Sequence, residues 1–232
     1  MPLSNTQVRA WLDAFNPPLA ISAAADLASV TRMTLTQQLM RSKVRESIIV
    51  DISRRLTIDP LAELSKFSEY SDLAPSSPVG AEALSFIDWP ELFQAVGWTA
   101  RDTRFGDRDL GPVTFPDGSR TWVDTLDAGT GALRSEAAKL LGVSTSSVTH
   151  SMNSGLKPHV AVAFARSAGT AVASSLVVSG LLTPHEAGWT LDARSRAVQE
   201  SSVPDLLELV GVRSVSALRQ ERKMLSFEEE LG

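Results

Sequence analysis

The chain repeats itself, and that constrains its fold more than any other feature. ISAAADLASVTRMTLTQQLMRS, starting at Ile21, aligns without a gap with RSEAAKLLGVSTSSVTHSMNSG, starting at Arg134, a shift of roughly 113 residues. Ser22 falls on Ser135, Ala24 and Ala25 on Ala137 and Ala138, Leu27 on Leu140, and Val30 on Val143. Leu35 falls on Val148, Thr36 on Thr149 and Leu39 on Met152; after a one-residue slip, Val44 falls on Leu156 and Arg54 on Arg166. Weaker matches flank this block. VRAWLDAF resembles RTWVDTLDA, pairing Trp11 with Trp122, and DWPELFQAVG resembles SVPDLLELVG, pairing Pro90 with Pro204 and Gly97 with Gly211. A shift this long belongs to a duplicated domain rather than to a short solenoid repeat. It divides the chain into a first unit over 1–102, a connector over 103–119 and a second unit over 120–232.

The connector is rich in Gly, Pro and Asp and reads as loop. The turn signal Pro116-Asp117-Gly118 allows a short β-hairpin around PVTFPDGSRTWV. SDLAPSSPVG punctuates the first unit before a helix over SFIDWPELFQAV. Each unit therefore ends in one extra packing helix, with Leu92, Phe93 and Val96 in the first and Leu206, Leu207 and Val210 in the second at helical spacing. These two helices are expected to pack together about a pseudo-two-fold axis.

Within each repeat the pattern predicts two short helices joined by a tight turn. In the second, Ser135 can cap a helix carrying Ala137, Ala138, Leu140 and Leu141, and Gly142 supplies a left-handed turn residue. Val143 is expected to fill the angle between the helices. Ser144 or Thr145 caps the next helix, whose inner face is Val148 and Met152. Ala138 keeps the crossing close. The first repeat keeps the pattern with Ala25, Val30, Leu35 and Leu39, but Ser29 stands where the second has Gly142, at a cost in backbone strain. This predicts a mainly α fold built from a tandem helix-turn-helix duplication.

These residues resemble Xre/Cro-type helix-turn-helix repressors of actinobacteria and their phages, a lambda-repressor-like domain present twice. The likeness rests on AAxLxxV, the polar second helix, the Ser53-Arg54 and Ala165-Arg166 pairs, and the following IDPLAEL and ASSLVVSGLLTPHEA, and spans about 50 residues per repeat. It implies that each second helix enters the major groove of double-stranded DNA. In the first repeat the outward residues are Thr31, Arg32, Met33, Thr36, Gln37 and Arg41, followed by Lys43 and Arg45 against phosphate. In the second they are Ser144, Thr145, Ser146, Thr149, His150 and Asn153, followed by Lys157. A solvated helix face would favour several of the same residue types. The second face is nearly uncharged, so that repeat either reads an unlike half-site or serves as a scaffold. Arg54 and Arg166 are expected to form salt bridges inside their own repeats, in the first to Asp51 or Asp59. All five tryptophans, Trp11, Trp89, Trp98, Trp122 and Trp189, are expected in packing.

The resemblance thus implies a transcriptional regulator of repressor type, of a kind that includes phage immunity repressors. It would work on a two-half-site operator as a monomeric pseudo-dimer or as a weak homodimer. The net charge of −5 runs against nucleic acid, but the base is segregated: Arg32, Arg41, Lys43, Arg45, Arg54 and Arg55 lie within one stretch, and three glutamates lie in the tail FEEELG. A protein-interaction module, such as an antitoxin or a partner-sequestering regulator, is the competing expectation, with that tail and SDLAPSSPVG as binding elements. No cysteine is present, which suits a reducing cytoplasm. Three scattered histidines (His150, His159, His185) give no metal site, and no cofactor is expected. The lack of any phosphate loop or nucleophile motif argues against an enzyme. No apolar run long enough for a membrane span and no signal peptide is read.

Overall fold

The computed structural model describes residues 3–101, 118–127, 131–215 and 218. Among these residues the chain is helical and contains no strand; a single antiparallel bridge joins Leu3 to Val44. No described helix is long and apolar enough to cross a membrane. In chain order the helices are α1 (Asn5–Asp13), α2 (Ile21–Leu27), α3 (Arg32–Met40), α4 (Glu46–Arg55) and α5 (Pro60–Ser65), then a 3-10 turn over Ser68–Tyr70. There follow α6 (Gly80–Leu84), α7 (Trp89–Thr99), α8 (Gly118–Leu126), α9 (Ala132–Leu141), α10 (Thr145–Asn153), α11 (Pro158–Ala168), α12 (Val172–Val178) and α13 (Ala193–Glu200). A last helix, α14, covers 203–215. The helices recur in the same order at the shift read from the sequence: α3 and α10, α4 and α11, α5 and α12 occupy corresponding stretches.

Local chemistry explains the recurrence. Thr31 and Ser144 both cap a helix start, each hydroxyl accepting from the backbone N–H three residues on, at Thr34 and Ser147. Of the two capping residues allowed by the sequence for the second helix, Ser144 is the one used. The turn between helices is also the same: Ser29 N–H donates to Asp26 O and Val30 N–H to Ala25 O, as Gly142 N–H does to Lys139 O and Val143 N–H to Ala138 O. Both turns need a left-handed residue, with φ of 53° at Ser29 and 65° at Gly142.

The same substitution recurs twice more. Ser42 and Thr57 are left-handed in the first repeat where Gly155 and Gly169 stand in the second. Thr57 is β-branched, exposed and at φ 57°, the least suited of the three. Thr57→Gly is therefore expected to stabilise the protein by about 1 kcal/mol, the relief of the left-handed penalty less the added freedom of the unfolded chain. Thermal unfolding should show a rise of about 2–4 °C. A lowered melting temperature would contradict this reading of the turn.

The chain forms two compact units, Met1–Ser77 with Asp127–Trp189, and Pro78–Leu126 with Thr190–Gly232. These cut across the division at 102 and 120 expected from the repeat. The first unit gathers α1–α5 and α9–α12. Its core includes Leu35, Leu39, Ile49, Ile52, Leu61 and Leu64 from one repeat and Val148, Phe164, Ala173, Leu176 and Val177 from the other. Every residue of α12 is buried, as is the run Val160–Ala165 of α11, the mark of helices enclosed on all sides.

The second unit gathers α6, α7, α8, α13 and α14. Leu84, Ile87, Leu92 and Ala95 share one apolar cluster with Ala197, Val198, Leu206 and Val210, so the two extra helices do meet. Phe93 and Leu207 do not join them; they are 62% and 50% exposed. Arg213 is buried and turns its guanidinium onto the carbonyls of Ile87 and Leu84, with Thr125 Oγ1 at 3.3 Å. Burial pushes its pKa down to about 10.

Several local expectations are corrected. The second arm of the expected hairpin, RTWV, is helical: Gly118 opens α8, and Trp122 sits fully buried with its Nε1–H on Glu82 Oε1. Residues 103–117, including Pro116 and Asp117, and the tail FEEELG lie outside the described residues. Ser135 does not cap α9. The helix begins a turn earlier, where Gly131 enters left-handed and Asp127 accepts from Leu133 N–H. Val143 is half-exposed rather than wedged between helices. Trp11 is buried and Trp189 partly so, but Trp89 and Trp98 are exposed on α7, at 44% and 40%.

Candidate nucleic-acid interface

The residues expected to meet DNA all fall in the first unit. In α3, Leu35 and Leu39 are buried, which leaves Arg32, Met33 and Gln37 exposed on the opposite side and Thr36 half-exposed. Thr31, Arg41, Lys43 and Arg45 are exposed as well. Thr31 spends its side chain on the cap, accepting from Thr34 N–H and lying 2.8 Å from Thr34 Oγ1. Among the described residues none of Arg32, Arg41, Lys43 and Arg45 is in an ion pair, so their charge is open to solvent.

In α10, Val148 and Met152 are buried. Ser144, Thr145, Ser146, Thr149, His150 and, beyond the helix, Lys157 are exposed. Ser144 Oγ lies within hydrogen-bond distance of both Ser146 Oγ and Ser147 Oγ, and Thr149 Oγ1 donates back to Thr145 O. The side chain of Asn153 lies outside the described residues. Neither α3 nor α10 carries an acidic residue. The faces are alike in construction and unlike in charge.

Other residues position α3. Gln38 Oε1 accepts from Arg45 N–H at 2.9 Å, tying the last turn of α3 to the start of α4. Asn5 N–H donates to Ser42 Oγ at 3.2 Å beside the Leu3–Val44 bridge, tying in the start of α1. At the α4 N-terminus, buried Tyr70 donates its hydroxyl to buried Glu46 Oε1 at 2.7 Å, and burial with the neighbouring carboxylate pushes the phenol pKa up. Helical projection separates Gln37 on the outer face from Gln38 but gives no sign of the bond Gln38 makes, and long-range partners such as Glu46 and Tyr70 leave no periodic trace.

Arg54 and Arg166 form ion pairs, but with the opposite repeat. Arg54 grips Glu186 with two bonds of 2.7 Å and donates to Leu181 O at 3.0 Å. Asp51, the partner expected within its own repeat, lies at 4.0 Å, at the limit of an ion pair. Arg166 grips Asp72 at 2.9 and 2.7 Å and donates to Glu69 O at 2.6 Å. The arrangement is reciprocal: each equivalent arginine takes one carboxylate and one backbone carbonyl from the other repeat. Nearby, Ser76 N–H donates to Ala187 O at 3.0 Å, and a Cβ on Gly188 would lie 2.7 Å from Pro75 Cβ.

These contacts set a pH response. The guanidinium of Arg166 holds Asp72 below the ordinary carboxylate value of 3.8, and Arg54 holds Glu186 below 4.5. A carboxyl with a lowered folded pKa contributes stability that is complete above its unfolded value and lost as pH falls through the folded one. Stability from both pairs should therefore be present above about pH 4.5 and lost below it. Asp51, pushed up by burial, acts in the opposite sense. His159, held down by burial, adds stability present above its ordinary value of 6.5 and lost on acidification. Because Asp72 and Arg54 are well exposed, each pair is worth no more than about 1 kcal/mol. Urea titrations against pH should show the loss below pH 4.5 reduced in Arg54→Ala and Arg166→Ala; an unchanged acid limb would contradict the assignment.

No family model matches the chain, and neither a curated protein nor a solved structure was found to be similar to it.

Proposed function

We propose that this protein is a sequence-specific regulator of double-stranded DNA, with α2–α3 and α9–α10 acting as tandem helix-turn-helix motifs, as in a pseudo-dimer fused into one chain. The observation that carries the reading is the matched construction of α3 and α10. Both have the same cap, the same left-handed turn before them, two inward apolar residues and an acid-free outer face. Such a helix can lie in the major groove, where Arg32 can bond guanine bidentately and Gln37 adenine. Arg41, Lys43 and Arg45, free of ion pairs, supply phosphate contacts. On the second face Thr145, Ser146, Thr149 and His150 offer short polar contacts with less charge, so the operator would comprise two unlike half-sites. Repression by occupancy is the simplest outcome of such binding.

Selection of bound duplexes from random sequence, followed by titration of the winner against salt, tests this. The expected result is one site with two unlike halves about one helical turn (roughly 34–36 Å) apart, and a salt slope near −0.9 per neutralised phosphate. No enrichment at low salt would sink the reading. Enrichment of a single half-site would leave α10 as scaffold.

A second reading, a module that captures a protein partner, is favoured by one observation: Phe93, Trp98, Leu207 and Val212 are exposed apolar residues on α7 and α14. An antitoxin of this kind would still bind DNA through α3.

A further inference from the structure

We propose that Arg54 and Arg166 are positioning residues that hold the two DNA-reading helices at one separation, so that the protein accepts a single spacing between half-sites. The inference rests on the DNA-binding reading above and goes beyond it by naming what sets the geometry of the site.

Apolar burial, which fills the interior of the first unit, is non-directional and tolerates small slides and rotations. A guanidinium gripping a carboxylate with two parallel bonds is directional, and a third bond to a backbone carbonyl fixes the fork further. Both arginines have this full set, each reaching into the other repeat. They stand at equivalent positions in the last turns of α4 and α11. Two forks related in this way resist both translation and rotation of one repeat against the other.

The linkage from fork to reading helix is short. Arg54 closes α4, the start of α4 is tied to α3 through Gln38, and α3 carries Arg32 and Gln37. Arg166 closes α11, which packs on α9, the partner of α10. Neither arginine is among the residues expected to touch DNA, so their effect on binding must pass through geometry.

Absence of native cysteine permits a direct measurement. Spin labels at Met40→Cys, at the exposed end of α3, and Ser154→Cys, just after α10, report the separation by pulsed dipolar spectroscopy. In the parent the distance distribution should be single and narrow. In Arg54→Ala/Arg166→Ala it should broaden or split; Arg54→Glu alone should broaden it as well, and the charge exchange Arg54→Glu/Glu186→Arg should narrow it again at least in part. Arg54→Lys, which keeps the charge and loses the fork, is a milder variant in case the double alanine fails to fold, and it too should broaden the distribution. In parallel, binding is measured to duplexes whose half-sites are moved apart or together by up to three base pairs, and to each half-site alone. The parent should prefer one spacing by tenfold or more. The double variant should lose that preference while each single half-site is bound within about twofold of the parent. A folded double variant with a distribution as narrow as the parent's, or with an unchanged spacing preference, overturns the proposal. A distribution that broadens in a protein that binds no duplex upholds the positioning role and overturns the DNA reading instead.

Discussion

Replacing Trp122 by alanine is expected to destabilise the protein by about 3–5 kcal/mol, the largest single-residue effect on stability anticipated here. Trp122 is fully buried in the second unit, and its indole N–H donates to buried Glu82 at 3.3 Å. Truncation would leave a cavity the size of the indole where α8 meets α6. Trp98, 40% exposed on α7, is the natural control, and Trp98→Ala should cost less than about 1 kcal/mol. Denaturant unfolding of the two variants reads the contrast directly. A Trp122→Ala protein within 1 kcal/mol of the parent would mean that α8 contributes little to its unit.

The largest effect on binding is expected at Arg32. If its guanidinium reads guanine from α3, Arg32→Ala should weaken binding to the selected operator by 1–3 kcal/mol, about 5–150-fold, and relax preference at one base pair. Lys43→Ala should behave differently. It should weaken binding to all sequences alike and reduce the salt slope by about 1, because a phosphate contact carries no base information. Substitutions on α10, such as Ser146→Ala, should cost less, since that face holds no charge beyond Lys157. Equal effects of Arg32→Ala on operator and on random duplex would place Arg32 on the phosphate backbone.

Local features of the candidate site were legible in the sequence because they obey short-range rules. The capping hydroxyls of Thr31 and Ser144, the inward pairs Leu35/Leu39 and Val148/Met152, and the left-handed turn at Ser29 and Gly142 each depend on residues within one or two helical turns. Long-range partners were not legible. Arg54 satisfied every local criterion for an ion pair with Asp51, three residues away, and instead reaches Glu186, 132 positions along the chain. Turn chemistry misled at Gly118, where a strong turn signal is followed directly by a helix, because glycine opens helices as well as turns. The exposure of Phe93 and Leu207 was hidden for a related reason. Helical spacing marks an apolar stripe but not its width, and these two residues lie beyond the edge of the buried part.

The interleaving of the two compact units has a consequence for how the protein is made. The first unit needs Met1–Ser77 and also Asp127–Trp189; the second needs Pro78–Leu126 and also Thr190–Gly232. A ribosome that has delivered the whole first repeat has therefore completed neither unit. The buried faces of α6 and α7 must wait for α13 and α14, and Arg54 and Asp72 in the first unit for Glu186 and Arg166, which makes for long-range contacts and slow closure. Truncation at the midpoint should leave the apolar faces of α6 and α7 and of α13 and α14 uncovered until the two fragments are mixed. The same dependence ties the halves together in evolution. Because the extra helices of the two repeats share one apolar cluster, neither copy can be discarded, however far the outer faces of α3 and α10 diverge.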